Sequence, residues 1–412
     1  MKQGDDISKA LLARPIGGRG FWSLDPAVTF LNHGSFGSCP RPVLQFQRAL
    51  QDRLERQPVG FLVDDFEPLW EAARATLAQF VGADAADLVL VANATAGVNT
   101  VLRSLQFRRG DELLTTDHGY NACRCALDFA AARAGARVVV AKIPFPLESA
   151  SQVVDAVLAC VTRRTRFALL DHVTSPTGLV LPLEKIVAEL SARGVETLVD
   201  GAHAPGMIPL NLKKLGAAYY TGNCHKWLCA PKGAALLYVR RDRQAQIRPL
   251  AISHGAKSPR GQSRFLSEFS WTGTGDFSAW LSVSESLRQI GSRLPGGWPA
   301  VMQRNRALAL AARNILCAAL NISPPCPDEM IGSLVAVPLP DMAAKDIAKI
   351  ANGLDALRGK LLREYGIEVP VVPWPVPPKR LLRISAQLYN SLPQYEKLAA
   401  VLKEIFPARK AK

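Results

Sequence analysis

The stretch TGNCHKWLCAPKGAALLYV, residues 221–239, places a histidine, a lysine and a tryptophan side by side just ahead of an apolar run. Residues 217–220 and 234–239 have the length and composition of buried β-strands. The connection between them is poor in charge, unlike an ordinary solvated face. Three roles are therefore open to Lys226: a salt-bridge partner, a nucleic-acid contact, or a nucleophile for covalent chemistry.

The strand pattern extends outward from this stretch. Short apolar segments predict seven strands, at 88–91, 112–115, 137–143, 166–170, 196–199, 217–220 and 234–239. Helical periodicity at 122–133, 151–161 and 183–192 places helices between several of them. Strands that alternate with helices predict an α/β fold with a mainly parallel seven-stranded sheet covered by helices on both faces.

The pattern also predicts a division of the chain. Residues 1–45 are irregular and form an N-terminal arm, residues 46–293 form the large α/β domain, and residues 294–412 form a smaller C-terminal α+β domain. The glycine-containing break at 291–297 gives the boundary. Predicted elements of the small domain are helices at 299–320, 342–365 and 393–406 and strands at 333–337, 367–372 and 381–388.

Composition narrows the classes of protein. The chain has 412 residues, 48% of them apolar, without a run long enough to span a bilayer. Its N-terminal residues lack the layout of a secretory signal, which predicts a cytoplasmic protein without a membrane partner. The eight cysteines show no zinc-binding spacing, so we expect free thiols and no metal.

The net charge of +15 raises the question of a nucleic-acid partner. The arginine clusters at 108–109, 163–166 and 240–243 sit at the edges of predicted elements, and the aromatic residues lie elsewhere. A nucleic-acid binder groups basic and aromatic residues on one surface. We therefore interpret the clusters as solvated basic faces that favour anionic ligands, and expect no nucleic-acid partner.

Polar residues follow the predicted strands, where ligands bind in an open α/β sheet. Asn93 or Thr95 caps a helix whose first turn offers N–H groups to an anion at Ala96. Asp200 ends one strand and Lys226 follows the next. A helix N-terminus, a carboxylate and a lysine in a partly apolar pocket suit the phosphate, the pyridinium nitrogen and the aldehyde of pyridoxal phosphate.

Several motifs in the same order resemble those of one enzyme family. The chain resembles class V, fold type I pyridoxal-phosphate enzymes over nearly its whole length, and most of all the isopenicillin N epimerase-like and cysteine desulfurase-like branch. The motifs are LNHGSFG at 31–37, ATAGVN at 94–99, DHGYNA at 117–122, DGAHAPG at 200–206, HKWLCAPKG at 225–233 and WTGTGDFSAW at 271–280. The resemblance implies a fold type I transferase that works as a homodimer with an active site shared between subunits.

The resemblance also implies roles for single residues of the cofactor site. Lys226 is expected to form the Schiff base, Asp200 to pair with the pyridinium nitrogen, and His118 to stack on the cofactor ring. His203 is expected near the phenolic oxygen. The expected phosphate contacts are Thr95, Ala96, Asn223 and, from the other subunit, Thr274.

On the substrate side, Arg383 in RLLRISAQLYN matches the arginine that grips the substrate carboxylate. Asn32 and His33 are expected to approach the substrate from the arm, with loop packing as the alternative. The branch usually carries WTGTRDP, where this chain has Gly275 and Phe277, so we expect a reshaped loop around Thr274.

Pyridoxal phosphate stabilises a carbanion at Cα, and the surrounding pocket decides the fate of that carbanion. Persulfide-forming cysteine desulfurases need a cysteine on a mobile loop before the carboxylate-binding arginine. The corresponding segment here, EYGIEVPVVPWPVPPKRLLR at 364–383, has none. Epimerisation needs a second base, for which Tyr120 is a candidate, whereas β-elimination needs only Lys226 and a leaving group.

We therefore predict an enzyme that acts on a small amino acid bearing sulfur, as an epimerase or a C–S lyase. Aminotransferase or cysteine desulfurase-like activity is the alternative. A catalytically inactive, basic nucleic-acid-associated protein on the same fold is the alternative from another class, and the intact Lys226 and Asp200 argue against it.

Overall fold

The computed structural model describes residues 9–257, 263–348, 350 and 355–407. Its strands are β1 (Thr29–Phe30), β2 (Leu88–Val91), β3 (Glu112–Thr116), β4 (Arg137–Ala141), β5 (Thr165–Asp171), β6 (Glu196–Asp200), β7 (Tyr219–Asn223), β8 (Ala235–Val239), β9 (Leu334–Pro338), β10 (Ile367–Glu368), β11 (Val371–Pro373) and β12 (Arg380–Ser385).

The α-helices are α1 (Lys9–Leu12), α2 (Gly18–Phe21), α3 (His33–Phe36), α4 (Arg41–Arg56), α5 (Pro58–Gly60), α6 (Phe66–Phe80), α7 (Ala94–Ser104), α8 (Asn121–Ala134), α9 (Ala150–Leu158), α10 (Leu183–Ala192), α11 (Leu212–Leu215), α12 (Arg264–Ser270), α13 (Ser278–Leu281), α14 (Val283–Gly291), α15 (Gly297–Leu320), α16 (Ala344–Ile347), α17 (Ala356–Tyr365) and α18 (Leu392–Ile405). A π-helical turn at Phe61–Asp65 joins α5 to α6, and short 3₁₀ turns lie at Ala85–Asp87, Arg241–Gln246, His254–Ala256 and Asp328–Met330.

The large sheet has seven strands in the order β2-β8-β7-β6-β5-β3-β4. The five neighbouring strands β7, β6, β5, β3 and β4 run parallel to one another, while β8 is antiparallel to both of its neighbours. Strands β2, β3, β7 and β8 are buried along their whole length, which explains why they read as short apolar runs rather than alternating ones. The predicted mainly parallel seven-stranded α/β sheet is confirmed.

One strand differs from the prediction at the place that matters most. The strand predicted at 217–220 lies instead at Tyr219–Asn223, because the antiparallel ladder with β8 continues through the polar residues. The hydroxyl of Thr221 donates to the carbonyl oxygen of Leu236 at 2.8 Å, which satisfies it inside the sheet. Lys226 therefore lies only three residues after the end of the strand.

The C-terminal part builds a second sheet, in the antiparallel order β11-β12-β9, against which α15 packs. Helix α15 also lies along α18. The single helix predicted at 342–365 is replaced by the separate α16 and α17, and residues 349 and 351–354 fall outside the described residues.

The N-terminal arm is more regular than its sequence indicates. Its strand β1 pairs in parallel with β10, which docks the arm on the C-terminal part, and residues 1–8 fall outside the described residues. The bounds of the three predicted domains stay predictions. Within the described ranges, no helix combines the length and the apolar character needed to cross a membrane.

Candidate active site

A cavity of about 370 Å³ lies beyond the carboxyl ends of the parallel strands. Its wall is formed by the connections that follow β2, β3, β5, β6 and β7, together with the arm residues Ser35 and Phe36. Parallel strands bring their carboxyl ends to one edge of the sheet, so residues far apart in sequence meet there.

Lys226 reaches this cavity, and its ammonium nitrogen lies 3.0 Å from Nε2 of His203. Burial lowers the pKa of Lys226 to about 8, and the nearby positive charge of Arg383 acts in the same direction. Burial also holds the pKa of His203 well below its usual range, so its ring is neutral. The site therefore holds an amine that loses its proton close to neutral pH.

Asp200 ends β6 and is buried against the cavity. One carboxylate oxygen accepts the N–H of Ala202 at 2.9 Å, and the other accepts the thiol of Cys123 at 3.0 Å. Asp171 sits beside it in register on β5 and also lines the cavity. Burial, together with the charge of Asp200, raises the pKa of Asp171 well above its usual value, so Asp171 is the carboxyl that keeps its proton.

The sequence reasoning missed Asp171. The signal was its place at the end of the neighbouring parallel strand, in register with Asp200. It missed His225 as well, which lines the cavity directly before Lys226.

The N-terminus of α7 forms one end of the cavity. Asn93 caps the helix by accepting the N–H of Ala96 at 2.8 Å, and Asn223 accepts the N–H of Ala94 at 2.8 Å. A Cβ atom on Gly97 would lie 2.1 Å from the hydroxyl oxygen of Thr221, so glycine lets the helix sit this close to β7. Thr95 and Asn223, two of the predicted phosphate contacts, line the cavity. The N–H of Ala96 donates instead to the side chain of Asn93, which corrects the phosphate contact predicted for Ala96.

Arg383 projects from β12 behind the cavity wall and is buried. Its guanidinium donates to the carbonyl and hydroxyl oxygens of Ser175 at 2.6 and 3.1 Å and to the hydroxyl of Ser35 at 2.9 Å. The buried Nε finds no acceptor among the described residues. Burial lowers its pKa to about 10, so it stays cationic at neutral pH.

The structure corrects the role predicted for His118. Its ring is fully buried outside the cavity, with Nε2 3.1 Å from the carbonyl oxygen of Ile143 and Nδ1 2.8 Å from the hydroxyl of Thr177. The ring of Trp374 packs against it, with ring centroids 4.6 Å apart. The aromatic ring that lines the cavity after β3 is that of Tyr120.

The arm residues Asn32 and His33 also need correction. The amide of Asn32 donates to Glu368 at 3.0 Å and its oxygen accepts the hydroxyl of Ser35 at 2.6 Å, so its polar atoms are used internally. His33 is buried outside the cavity. The arm reaches the cavity through Ser35 and Phe36 instead, and the packing alternative holds for both predicted residues.

The loop that departs from the family pattern lies on the surface. Thr274 is exposed and does not line the cavity of its own chain, so its contact across a subunit boundary stays a prediction. Phe277 is buried, with its ring centroid 4.6 Å from that of Phe66, and a side chain at Gly275 would meet open space. The reshaped loop is thus anchored by an aromatic contact.

The residues gathered here fit pyridoxal phosphate by the chemistry of the donor set. An amine with a lowered pKa, a buried carboxylate and a helix N-terminus face one cavity, as the aldehyde, pyridinium nitrogen and phosphate require. No group of three or more metal-ligating side chains lies within the described residues.

Known proteins resemble this chain over nearly its whole length. Residues 58–369 match the family model described as "Aminotransferase class-V". The chain is 37% identical over 401 residues to an isopenicillin N epimerase of Amycolatopsis lactamdurans, covering 93% of this chain and 96% of that protein. It is 31% identical to a probable chloroplastic L-cysteine desulfhydrase of Arabidopsis thaliana, covering 91% and 82%.

The fold has solved counterparts. The structure of the cystine C–S lyase C-DES with cysteine persulfide superposes with a TM-score of 0.75 at 23% identity, covering 91% of this chain and 97% of that chain. At this identity the likeness shows a shared fold.

Proposed function

The chain belongs to the class-V aminotransferase family, and we propose that it is a pyridoxal-phosphate-dependent enzyme that removes the α-proton of a sulfur-containing amino acid and cleaves its C–S bond. The observation that carries this proposal is the Lys226–His203 pair, 3.0 Å apart at a cavity that also contains Asp200. The relatives named as an epimerase and as a cysteine desulfhydrase support chemistry at Cα.

Five groups would hold the cofactor. Lys226 would bind its aldehyde, Asp200 its ring nitrogen, Tyr120 would cover the ring, and Thr95 at the start of α7 together with His225 would face the phosphate. When bound, pyridoxal phosphate takes up the electron pair left when a bond to Cα breaks.

The proton is moved by the chain itself. The free amine of Lys226 would accept the α-proton. Because Nδ1 of neutral His203 accepts the indole N–H of Trp227 at 3.4 Å, the ring hydrogen lies on Nε2, which donates to the uncharged amine and holds it in place as a base. The electron pair at Cα would then form a double bond to Cβ as the Cβ–S bond breaks, and the sulfur would leave as a thiol with the proton that Lys226 holds. A single base is enough for this reaction.

Arg383 would hold the substrate carboxylate. Its guanidinium is fixed by Ser175 and Ser35, and both serines line the cavity. A fixed fork-shaped donor binds a carboxylate in one orientation, which presents the Cα–H bond to Lys226.

The cleaved sulfur is not passed to a protein thiol. The segment 364–383 carries Trp374 on His118 and Phe145 in place of a cysteine. Burial raises the pKa of Cys326 to about 12, and Cys317 is buried too. Cys317 and Cys326 are therefore poor nucleophiles, which argues against the desulfurase-like alternative, and we expect free release of the sulfur group.

Epimerisation is the second candidate, because one observation favours it. Tyr120 lines the cavity with its side chain 44% exposed, so its hydroxyl is available to a bound substrate. If Tyr120 lies across the substrate from Lys226, the two residues could remove and return the α-proton on opposite faces.

We also propose that the working unit is a homodimer. Phe36 stands in the cavity wall with 75% of its surface exposed, next to the exposed Tyr120. An apolar rim of this kind is covered by a second copy that brings Thr274 toward the phosphate end.

Proton NMR in heavy water tests the proposal. Wild-type protein with pyridoxal phosphate is given cysteine, a cysteine sulfoxide conjugate, a cysteine-containing peptide and alanine, and Lys226→Ala is the control. Pyruvate with release of the sulfur group supports the lyase, and exchange of the α-proton with an intact skeleton supports the epimerase. A protein that stays colourless with added cofactor, or that behaves like Lys226→Ala, overturns the site assignment.

A further inference from the structure

His33 occupies a position that the proposed reaction does not use. Its ring is buried in the first turn of α3, and its Nε2 lies 2.9 Å from the backbone carbonyl oxygen of Lys226. Its Nδ1 lies 2.7 Å from the hydroxyl of Tyr389. The ring also packs on Trp227, with ring centroids 5.0 Å apart.

The direction of these two hydrogen bonds follows from their partners. A carbonyl oxygen only accepts, so Nε2 of His33 carries the hydrogen, and Nδ1 is left to accept the hydroxyl hydrogen of Tyr389. Burial lowers the pKa of His33 to about 3 and raises the pKa of Tyr389 well above its usual value, so both groups are neutral. The carbonyl of Lys226 therefore selects the tautomer, and Tyr389 pairs with the nitrogen that is left to accept.

Other residues of this turn also contact the connection that carries Lys226 and strand β12. On the side of the lysine connection, a Cβ atom on Gly37 would lie 2.0 Å from the carbonyl oxygen of His225, and Lys232 donates to the carbonyl oxygen of Gly37 at 3.0 Å. On the side of β12, the N–H of Gly34 donates to the hydroxyl of Ser385 at 2.9 Å.

We propose that His33 is a positioning residue. It fixes the backbone of Lys226 and, through Tyr389, holds that backbone in place relative to the segment that carries Arg383. His33 then helps to hold the base at a fixed distance from the carboxylate anchor before the substrate binds, beside the contacts that Gly34 and Gly37 make. The inference rests on the proposed function, because it takes Lys226 to be the reacting amine.

Two substitutions test the hydrogen bonds of the two ring nitrogens of His33 separately. In His33→Gln the amide nitrogen reaches the place of Nε2 and keeps the donor to Lys226. In His33→Asn the shorter side chain reaches only the place of Nδ1, so it keeps the partner of Tyr389 and loses the donor. Tyr389→Phe preserves volume and removes the hydroxyl that bonds Nδ1 of His33.

The measurements are the melting temperature of the apoprotein, the rate at which it takes up pyridoxal phosphate by growth of the visible band, and the pH midpoint of that rate. His172→Gln is the matched control, because His172 is another histidine bonded to a tyrosine hydroxyl, at 2.9 Å from Tyr220. We expect His33→Gln to stay within about threefold of the wild type in uptake rate and His33→Asn to fall about tenfold or more. Tyr389→Phe should lie between them, and His172→Gln should lower the melting temperature without changing uptake.

The inference is overturned if Asn and Gln at position 33 give equal uptake rates, or if both change only the melting temperature. It is equally overturned if His172→Gln slows uptake as much as His33→Asn does. If the wild type takes up no cofactor, the proposed function fails and the inference fails with it, whereas a wrong order among the variants refutes the inference alone.

Discussion

Removing the charge of Arg383 should move the titration of Lys226. Burial and the Arg383 charge together lower the pKa of Lys226 from its usual 10.5 to about 8. At pH 7 an amine with a pKa near 8 is deprotonated about 300 times more often than one with a pKa of 10.5. In Arg383→Gln we expect the pKa of Lys226 to rise by roughly half a unit or more, since a nearby like charge is lost.

The assay is the uptake of pyridoxal phosphate by apoprotein between pH 6.5 and 10, followed by the visible band. Dividing each rate by that of a lysine peptide with the same cofactor removes the cofactor's own ionisations. The corrected wild-type advantage should be largest at neutral pH and should shrink as pH rises above 8. The profile of Arg383→Gln should keep this shape but be shifted as a whole to higher pH.

Arg380→Gln is the matched control. Arg380 lies on the same strand but donates to Asp355 at 2.8 Å, away from the cavity. A wild-type profile that shows no change near pH 8 would refute the effect of burial on Lys226. Equal shifts in Arg383→Gln and Arg380→Gln would refute the Coulombic effect of Arg383.

Three further predictions concern binding and stability. Ser35→Ala removes a hydrogen bond to Arg383 worth about 1 kcal/mol, so the KM of the substrate should rise about fivefold in steady-state kinetics without a change in cofactor uptake. His172 has its pKa lowered to about 4 by burial, below the unfolded value of 6.5. Its contribution to stability is therefore complete above pH 6.5 and lost as pH falls toward 4, by at most about 3 kcal/mol, and urea unfolding of His172→Asn should show a flatter pH dependence. Gly37→Ala should lower the melting temperature more than Gly110→Ala, because both have positive φ but only the former meets a backbone carbonyl.

The sequence predicted the strands better than the side chains. The strands are short apolar runs buried on both faces, and burial leaves a signal in composition that needs no partner to be known. Lys226 and Asp200 lie at one cavity, as expected from their places at or after strand ends, and Asn223, which only the family resemblance indicated, lies there too; the roles expected of all three stay predictions. That ligands bind beyond the carboxyl ends of parallel strands predicts which connections meet at the cavity. It identifies a cavity residue only where the side chain points into the cavity.

His118 was misassigned because a motif gives a position along the chain and not the direction of a side chain. Two residues after β3 the chain turns, so His118 points into the protein and Tyr120 points into the cavity. Asp171 directly follows the strand predicted at 166–170, so its place was visible in the sequence, but its pairing with Asp200 depends on the register of β5 and β6, which the sequence does not give.

Two buried histidines, His33 and His118, share one chemical arrangement. His33 donates to the carbonyl of Lys226 and accepts from a tyrosine hydroxyl, and His118 donates to the carbonyl of Ile143 and accepts from Thr177. Thr177 closes the turn that carries Ser175, a partner of Arg383. One histidine thus supports the chain that carries the base, and the other supports the anchor of the carboxylate. A neutral imidazole suits this task because it bridges a carbonyl and a hydroxyl across a fixed distance without adding charge beside the amine, whose lowered pKa a neighbouring carboxylate in the same place would raise.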